Sequence, residues 1–351
     1  MHFFEFMYYL GFSVKKHYSL RNQRRLPHKV ISIGNLTVGG TGKTPAVMAV
    51  AGEAIRRGFV PVILTRGYKG KGNAPCFVTT GSGPLLQVDD AGDEPFLMAD
   101  KLSGVPIVKD PDRYEGGMFA LHAPQSPLMN PKGEIVFILD DGFQHFHVYR
   151  DRDVVLINVA NPFGRNLLLP FGQLREPPGS LERADIIVIT KNETAGDNEI
   201  SRCGTLIEKL RKYNARAPVF QSAHLPVSWR LGSGERKDTG WIAGRKVFGF
   251  CALGDPLSFR RTLTSAGAVV AGFRAYRDHY QYGEADVGRI RAEAGKCGAE
   301  WIVTTEKDII KIGNRDPADD LLVAEIRFAA EDSFYEELFS FQKSTPEEDD
   351  R

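Results

Sequence analysis

The chain of 351 residues has four cysteines, Cys76, Cys203, Cys251 and Cys297, and no two of them form a CxxC. Thiols scattered in this way build neither a zinc site nor a disulfide framework, and they suit a reducing compartment. A run of about 18 apolar residues is also missing, so no helix is expected to span a bilayer. Charge of one sign is not in excess either. Lys and Arg number 45 against 44 Asp and Glu, a net charge of +1, which builds no global field for nucleic acid. What is present is ordinary for a globular protein, with 42% hydrophobic and 25% charged residues, and this argues against extensive disorder. The length suggests about two domains. The class that remains is a soluble or peripherally attached intracellular protein, expected to be an enzyme.

The N-terminal stretch differs from the rest. Phe3, Phe4, Phe6, Met7, Tyr8, Tyr9, Leu10, Phe12 and Val14 crowd the first fourteen positions. Six cations follow (Lys15, Lys16, Arg21, Arg24, Arg25 and Lys29), opposed only by Glu5, so residues 1–29 carry +5. A secretory signal has the reverse order, charge first and apolar stretch second. An aromatic helix beside cations suits the boundary between lipid headgroups and acyl chains. A helix packed on the protein body suits the same residues, and composition leaves both open.

From residue 30, short and continuously apolar runs at 30–33, 61–64, 135–139, 154–157 and 186–189 alternate with helical segments. Strands covered by helices on both faces read this way. Residues 45–57 form a helical segment with Pro45 in its first turn and Gly58 just past its end. The pattern predicts a doubly wound α/β/α domain over 30–217. Strand-like, turn-rich pieces make 218–245 a linker. A second alternation predicts a smaller α/β domain over 246–343, with strands at 247–251, 269–270 and 301–303 and helices near 257–264 and 286–296. Its last helix places Phe334, Tyr335, Leu338 and Phe341 on one face. Residues 344–351 form an acidic tail expected to fray.

The strongest local signal is Ile31-Ser-Ile-Gly-Asn-Leu-Thr-Val-Gly-Gly-Thr-Gly-Lys-Thr44. A buried strand enters a glycine-rich turn and a helix leaves it. Gly39, Gly40 and Gly42, around Thr41, let the backbone approach a phosphate chain and turn its N–H groups inward, and the helix N-terminus adds partial positive charge. Lys43 is placed to reach the β/γ-phosphates and the Thr44 hydroxyl to bind Mg²⁺. A strict Walker pattern misses this loop because Thr37 stands at its first glycine. An ordinary strand-to-helix turn rarely carries three glycines followed by Lys-Thr, so a P-loop binding nucleoside triphosphate is expected.

Other clusters carry weaker signals. The run 135–139 ends in Asp140-Asp141, where parallel sheets bind ligands and where the Mg²⁺ of a nucleotide needs an oxygen ligand. Adjacent residues on a strand point oppositely, so one aspartate is expected at the metal and the other on backbone or substrate groups. His145 and His147 lie nearby, but no cysteine or HExxH completes a zinc site. Asp93 of Ala91-Gly-Asp-Glu-Pro95 is explained equally by a helix cap. Asp278-His279-Tyr280 is a structural pair or a tuned proton acceptor. Arg175 of Leu174-Arg-Glu-Pro177 fits a phosphate clamp or a surface ion pair.

These segments together resemble the tetraacyldisaccharide 4'-kinase family, the lipid A kinases of Gram-negative bacteria. The resemblance rests on the residue 33–45 loop, Thr65-Arg-Gly-Tyr68, Ala91-Gly-Asp-Glu-Pro95, Asp112-Arg-Tyr114, Asp140-Asp-Gly-Phe-Gln-His145, Leu174-Arg-Glu-Pro177, Asp278-His-Tyr280 and Thr305-Glu-Lys-Asp308. It covers nearly the whole chain and is weaker after residue 218. It implies transfer of the ATP γ-phosphate to the 4'-hydroxyl of a membrane-embedded tetraacyldisaccharide 1-phosphate, giving lipid IVA at the cytoplasmic face of the inner membrane. It implies two α/β/α domains with the site between them, and an N-terminal helix seated on the lipid surface. Asp93 is then the general base, paired with His279. Lys43 and Thr44 hold phosphates and Mg²⁺, Asp140 and Asp141 complete the metal site, and Arg175 contacts phosphate. No nucleic acid and no obligate protein partner is expected. The competing class is a P-loop switch ATPase or GTPase that acts with a membrane or protein partner and phosphorylates no small molecule. A third reading is a kinase of a soluble sugar.

Overall fold

A computed structural model describes residues 3–67, 74–191, 197–313 and 320–341. Tyr68 and the acidic tail at 344–351 lie outside the described residues. The first half supplies strands β1 (Lys29–Asn35), β2 (Val60–Thr65), β3 (Cys76–Thr79), β4 (Ile107–Lys109), β5 (Ile135–Asp140), β6 (Arg152–Asn158) and β7 (Ile186–Lys191). The second supplies β8 (Val219–Leu231), β9 (Arg236–Lys237), β10 (Lys246–Cys251), β11 (Val269–Ala275), β12 (Trp301–Thr305) and β13 (Leu321–Ala330). Among the described residues they form one sheet in the order β11-β10-β12-β13-β8-β7-β6-β1-β5-β2-β4-β3, with β9 paired to β8. The five apolar runs expected in the first half are β1, β2, β5, β6 and β7, all mutually parallel. Buried branched side chains such as Val30, Ile31, Val136, Ile138 and Val154 fill both faces, as a sheet covered twice demands.

The architecture is the mixed α/β, P-loop arrangement expected, with two differences. The supposed linker at 218–245 contains the longest strand described, the 13-residue β8. It pairs parallel with β7 and antiparallel with β13, so a two-stranded ribbon joins two parallel blocks into one sheet. The last helix, Asp332–Phe339, was expected with the second block. Its Phe334, Leu338 and Phe339 instead pack in the core that holds Ala46, Val47 and Val50 of the first. The reason is topological: β13 runs back along β8 and returns the chain to the first block, where Phe339 stacks on Phe59.

Sheet order sets the place for chemistry. Strand β1 lies between β5 and β6, and its register puts Ile33 beside Asp140. The helix Lys43–Arg56 packs Ala46, Val47, Val50, Ala51 and Ala54 against the sheet, small residues that bring its N-terminus close to the strand ends. The N-terminal helix Phe3–Arg21 turns Glu5, Tyr8 and Phe12 to the body and leaves Phe3, Phe4, Phe6, Met7, Leu10 and Val14 exposed. No described helix is long and apolar enough to cross a membrane.

Candidate active site

The phosphate loop is built by backbone constraint. Gly39 has φ +118° and Gly42 has φ +79°, a region where L side chains are strained. A Cβ on Gly42 would also stand 2.1 Å from Nε2 of His224, which rises beneath the loop from β8. The helix Lys43–Arg56 begins with no side-chain cap and no acid in its first turn. Its leading N–H groups are therefore available to an anion. Inside the loop, Asn35 Nδ2 donates to Thr41 Oγ1 at 2.8 Å, and Lys43 Nζ donates to Asn35 Oδ1 at 3.3 Å.

The two aspartates at the end of β5 differ in environment. Asp140 is buried, and its Oδ2 accepts the Thr65 hydroxyl at 2.9 Å. Burial, then the charges of Glu94 and Asp141, push its carboxyl up to about 7. Its Oδ1 is buried with no hydrogen-bond partner among the described residues, so an acceptor oxygen is left for a hard cation. Asp141 sits in a left-handed turn, φ +51°, and takes Arg175 Nη1 on both oxygens at 2.8 and 2.7 Å. Burial raises its carboxyl, but Lys43 and Arg175 outweigh that and hold it below the usual carboxylate range. The sequence left open which aspartate meets the metal and which bonds backbone or substrate groups, and the resemblance gave both to the metal site; Asp141 is bound by a guanidinium.

Arg175 also donates to Gln144 Oε1 at 3.1 Å. The neighbouring Glu176, itself fully buried, points the other way to the partly buried Arg183, at 2.6 Å, and receives Gln144 Nε2 at 2.8 Å. Alternation along the chain thus divides Arg175-Glu176 into one group facing the site and one anchoring it.

Asp93 opens the helix Asp93–Lys101 after Gly92. Its side chain does not cap that helix. Oδ2 lies 3.1 Å from Nδ1 of His279, a residue 186 positions away in the second block. Burial raises the Asp93 carboxyl, but the His279 hydrogen bond and the charges of Lys311 and Lys307 pull it below its ordinary value. The next residue, Glu94, is bound by Lys307 at 3.0 Å. A carboxylate held ionised against an imidazole is a competent proton acceptor for a hydroxyl.

Gly39, Gly40, Thr41, Gly42, Lys43, Thr44, Asp93, Asp140, Asp141, Arg175 and His279 all line one cleft of about 1060 Å³, which reaches Tyr8, Phe12 and Lys15 of the N-terminal helix. Thr37 does not line it; it is buried in a β-bridge to Leu174. Sequence reasoning missed three groups. Arg113 is buried, with Nη2 3.4 Å from the Asp140 carbonyl, and desolvation lowers its guanidinium to about 10. Lys307 and Gln144 also line the cleft. All three stood in quoted motifs, but no spacing rule says which motif residue turns inward.

The sequence model of the family described as Tetraacyldisaccharide-1-P 4'-kinase (LpxK) matches residues 1–342. The tetraacyldisaccharide 4'-kinase of Syntrophus aciditrophicus is 40% identical over 301 residues, covering 82% of this chain and 76% of its own. That of Desulfotalea psychrophila is 37% identical over 295 residues, covering 84% and 81%. A crystal structure described as "apo" form LpxK from Aquifex aeolicus in complex with ATP matches with a TM-score of 0.72 and 29% identity, covering 97% of this chain and 98% of that one. Glycine loops recur in unrelated switches, but here the likeness runs through both blocks and includes the part that supplies His279. On that breadth, the chain belongs to the tetraacyldisaccharide-1-phosphate 4'-kinase family, the lipid A 4'-kinases.

Proposed function

We propose that this kinase binds ATP on the 36–44 loop and uses Asp93 to deprotonate the 4'-hydroxyl of its disaccharide acceptor as the γ-phosphoryl group arrives. The observation that carries the reading is the 3.1 Å contact between Asp93 and His279 in the cleft that the glycine loop lines. A sugar hydroxyl is a weak nucleophile, and a positioned base contributes roughly 10²–10⁴-fold. His279 orients the carboxylate and steadies its charge. Phosphoryl transfer otherwise asks for alignment and charge neutralisation, which Lys43 and Arg175, both beside Asp141, supply. The ATP in the crystals of the Aquifex relative supports the choice of donor.

Mg²⁺ fits the donor set. No described cluster of three or more His, Cys, Asp and Glu side chains could hold a metal ion, so a cation here takes oxygens from nucleotide phosphates as well. Asp140, with its unpartnered Oδ1, and the Thr44 hydroxyl are the groups that would hold it. Bound there, it neutralises phosphate charge. Asp141, committed to Arg175 and Lys43, serves the ion at most indirectly.

The acceptor's acyl chains stay in the membrane, because extracting them costs about 0.8 kcal/mol per CH₂. The exposed aromatic side of the helix Phe3–Arg21 and the cations beside it suit an anionic lipid surface. We place the protein peripherally at the cytoplasmic face of the inner membrane, with Tyr8 and Lys15 of that helix lining the cleft.

The test is purified protein with γ-labelled ATP and tetraacyldisaccharide 1-phosphate, followed by lipid extraction. Label is expected in the lipid, and Asp93→Ala should lower turnover about 10²–10⁴-fold while ATP binding persists. ATP hydrolysis independent of the acceptor would favour a switch, and near-normal turnover of Asp93→Ala would remove the base.

A further inference from the structure

The segment Thr305-Glu-Lys-Asp308 contributes Lys307 to the cleft but hides its last residue. Asp308 is 0% exposed and does not line the cleft. Its carboxylate is nonetheless saturated with donors. The Ala252 N–H lies 3.2 Å from both oxygens, the Tyr282 hydroxyl donates at 3.1 Å, the Thr305 hydroxyl at 2.6 Å, and the Lys311 ammonium lies at 2.9 Å. We propose that Asp308 is a positioning residue, whose carboxylate locks together the three loops through which the second block meets the phosphate loop and Asp93.

Three of these four donors belong to different segments, and the fourth, Lys311, lies one turn along the helix of Asp308 itself. Ala252 begins the segment after β10, and Gly254 there lies so close to the phosphate loop that a Cβ on it would be 2.7 Å from Gly40 N. Tyr282 ends the loop that carries Asp278 and His279. Thr305 ends β12 and caps the helix Glu306–Ile312, which carries Lys307. A single buried anion therefore sits behind the contacts Gly254–Gly40, His279–Asp93 and Lys307–Glu94.

The loop bearing His279 needs such an anchor. His279 itself is left-handed, φ +59°, a conformation that persists only when surrounding contacts over-determine it. Tyr282 supplies them on two sides. Its ring packs edge-on against Phe250, Tyr276 and Tyr280 at 5.7, 5.1 and 5.3 Å between centroids, and its hydroxyl reaches Asp308. Rings hold the loop against the block, while a directional bond fixes its register along the strand ends. A buried carboxylate with several partners is costly to disturb, because every donor loses its acceptor at once.

The proposal rests on the roles given above to Asp93 and His279. Tyr282→Phe removes one hydroxyl and keeps the ring. It should lower kcat about tenfold and leave the KM for ATP within about twofold, since misplacing the imidazole against the base by a fraction of an ångström is expensive while the phosphate loop stays whole. The paired change Asp308→Asn with Lys311→Met, which avoids stranding a buried ammonium, should cost more. The Tyr282→Phe loss should vanish in a His279→Ala background, because that hydroxyl acts through the loop bearing the imidazole, whereas the paired change should keep part of its loss through the Gly254–Gly40 and Lys307–Glu94 contacts. Thermal midpoints identify a variant that fails to fold, and Tyr282→Phe alone then carries the test. Equal losses in both backgrounds, or an unchanged kcat for Tyr282→Phe, would overturn the proposal. Normal turnover of His279→Ala by itself would instead remove the dyad, and this inference with it.

Discussion

Docking on lipid through the helix Phe3–Arg21 predicts a measurable loss when its leading rings are trimmed. Phe3 is 70% and Phe4 61% exposed, and full burial of a phenylalanine stabilises by about 1.5–3 kcal/mol. Scaled to the exposed fraction, the pair contributes about 2–4 kcal/mol on entering the headgroup boundary. Phe3→Ser with Phe4→Ser should therefore weaken partitioning about 30- to 700-fold. The helix should stay in place, because it is held by other residues. Glu5 accepts the Leu168 N–H at 2.9 Å, and the Tyr8 hydroxyl donates to the Arg175 carbonyl at 2.9 Å. Sedimentation with vesicles containing anionic lipid measures the bound fraction, and an unchanged melting temperature shows that the fold survives. Equal binding of variant and parent would refute the docking face and return the helix to a purely packing role.

Lys43→Ala should lower kcat/KM for ATP by about 10- to 150-fold, the worth of a charge-assisted hydrogen bond to phosphate; an unaltered value in steady-state kinetics would deny Lys43 that contact. Asp93 is buried, which favours the neutral acid, but the His279 hydrogen bond and the charges of Lys311 and Lys307 hold it low. Removing one of those lowering influences raises the carboxyl, so His279→Ala should move the acid limb of the kcat/KM profile to higher pH, and a limb that stays or moves down would contradict the pairing. Phe334→Ala should destabilise by about 3–5 kcal/mol in urea unfolding, because Phe334 joins the core beneath the phosphate loop's helix. A cost below about 1 kcal/mol would mean that the last helix does not dock there.

Much of the first block was legible because its strands are unbroken apolar runs, a pattern with few alternatives once flanked by glycine and proline. Strand β8 was not. Most of its positions are only half-buried, so it lacks a clean period, and Pro226 in its middle argues against a strand. The structure accommodates that proline beside a register shift, opposite Ile326. Strand β13 hid behind Glu325, a charge inside an apolar run. Lys101, Arg230 and Arg236 and the Ser228 hydroxyl satisfy it, and despite burial they hold its carboxyl far below the usual range. In the site, the glycine loop could be read because its chemistry is contiguous. The pairing of Asp93 with His279 had no such signal. It came from family resemblance, since nothing in the spacing of residues 186 apart says that two loops will touch.

The helix Asp93–Lys101 shows why both blocks are needed. It belongs to the first block, yet it meets the second at three places: Asp93 on His279, Glu94 on Lys307, and Lys101 on Glu306 and Glu325 at 2.5 and 2.7 Å. In the proposed reading the phosphate loop holds its anion at the end of β1, beside β5, and the imidazole approaches from the block of β10, β11 and β12. A nucleotide switch can hydrolyse with water alone and has no use for a base braced from a second edge. A kinase must keep water out while admitting one particular hydroxyl. Ion pairs along a single helix suit that requirement, because they join the two blocks on the helix that carries the proposed base. Tyr8 and Lys15 of the N-terminal helix line the same cleft, so the proposed docking of that helix on lipid would bring an anchored acceptor to it without leaving the membrane.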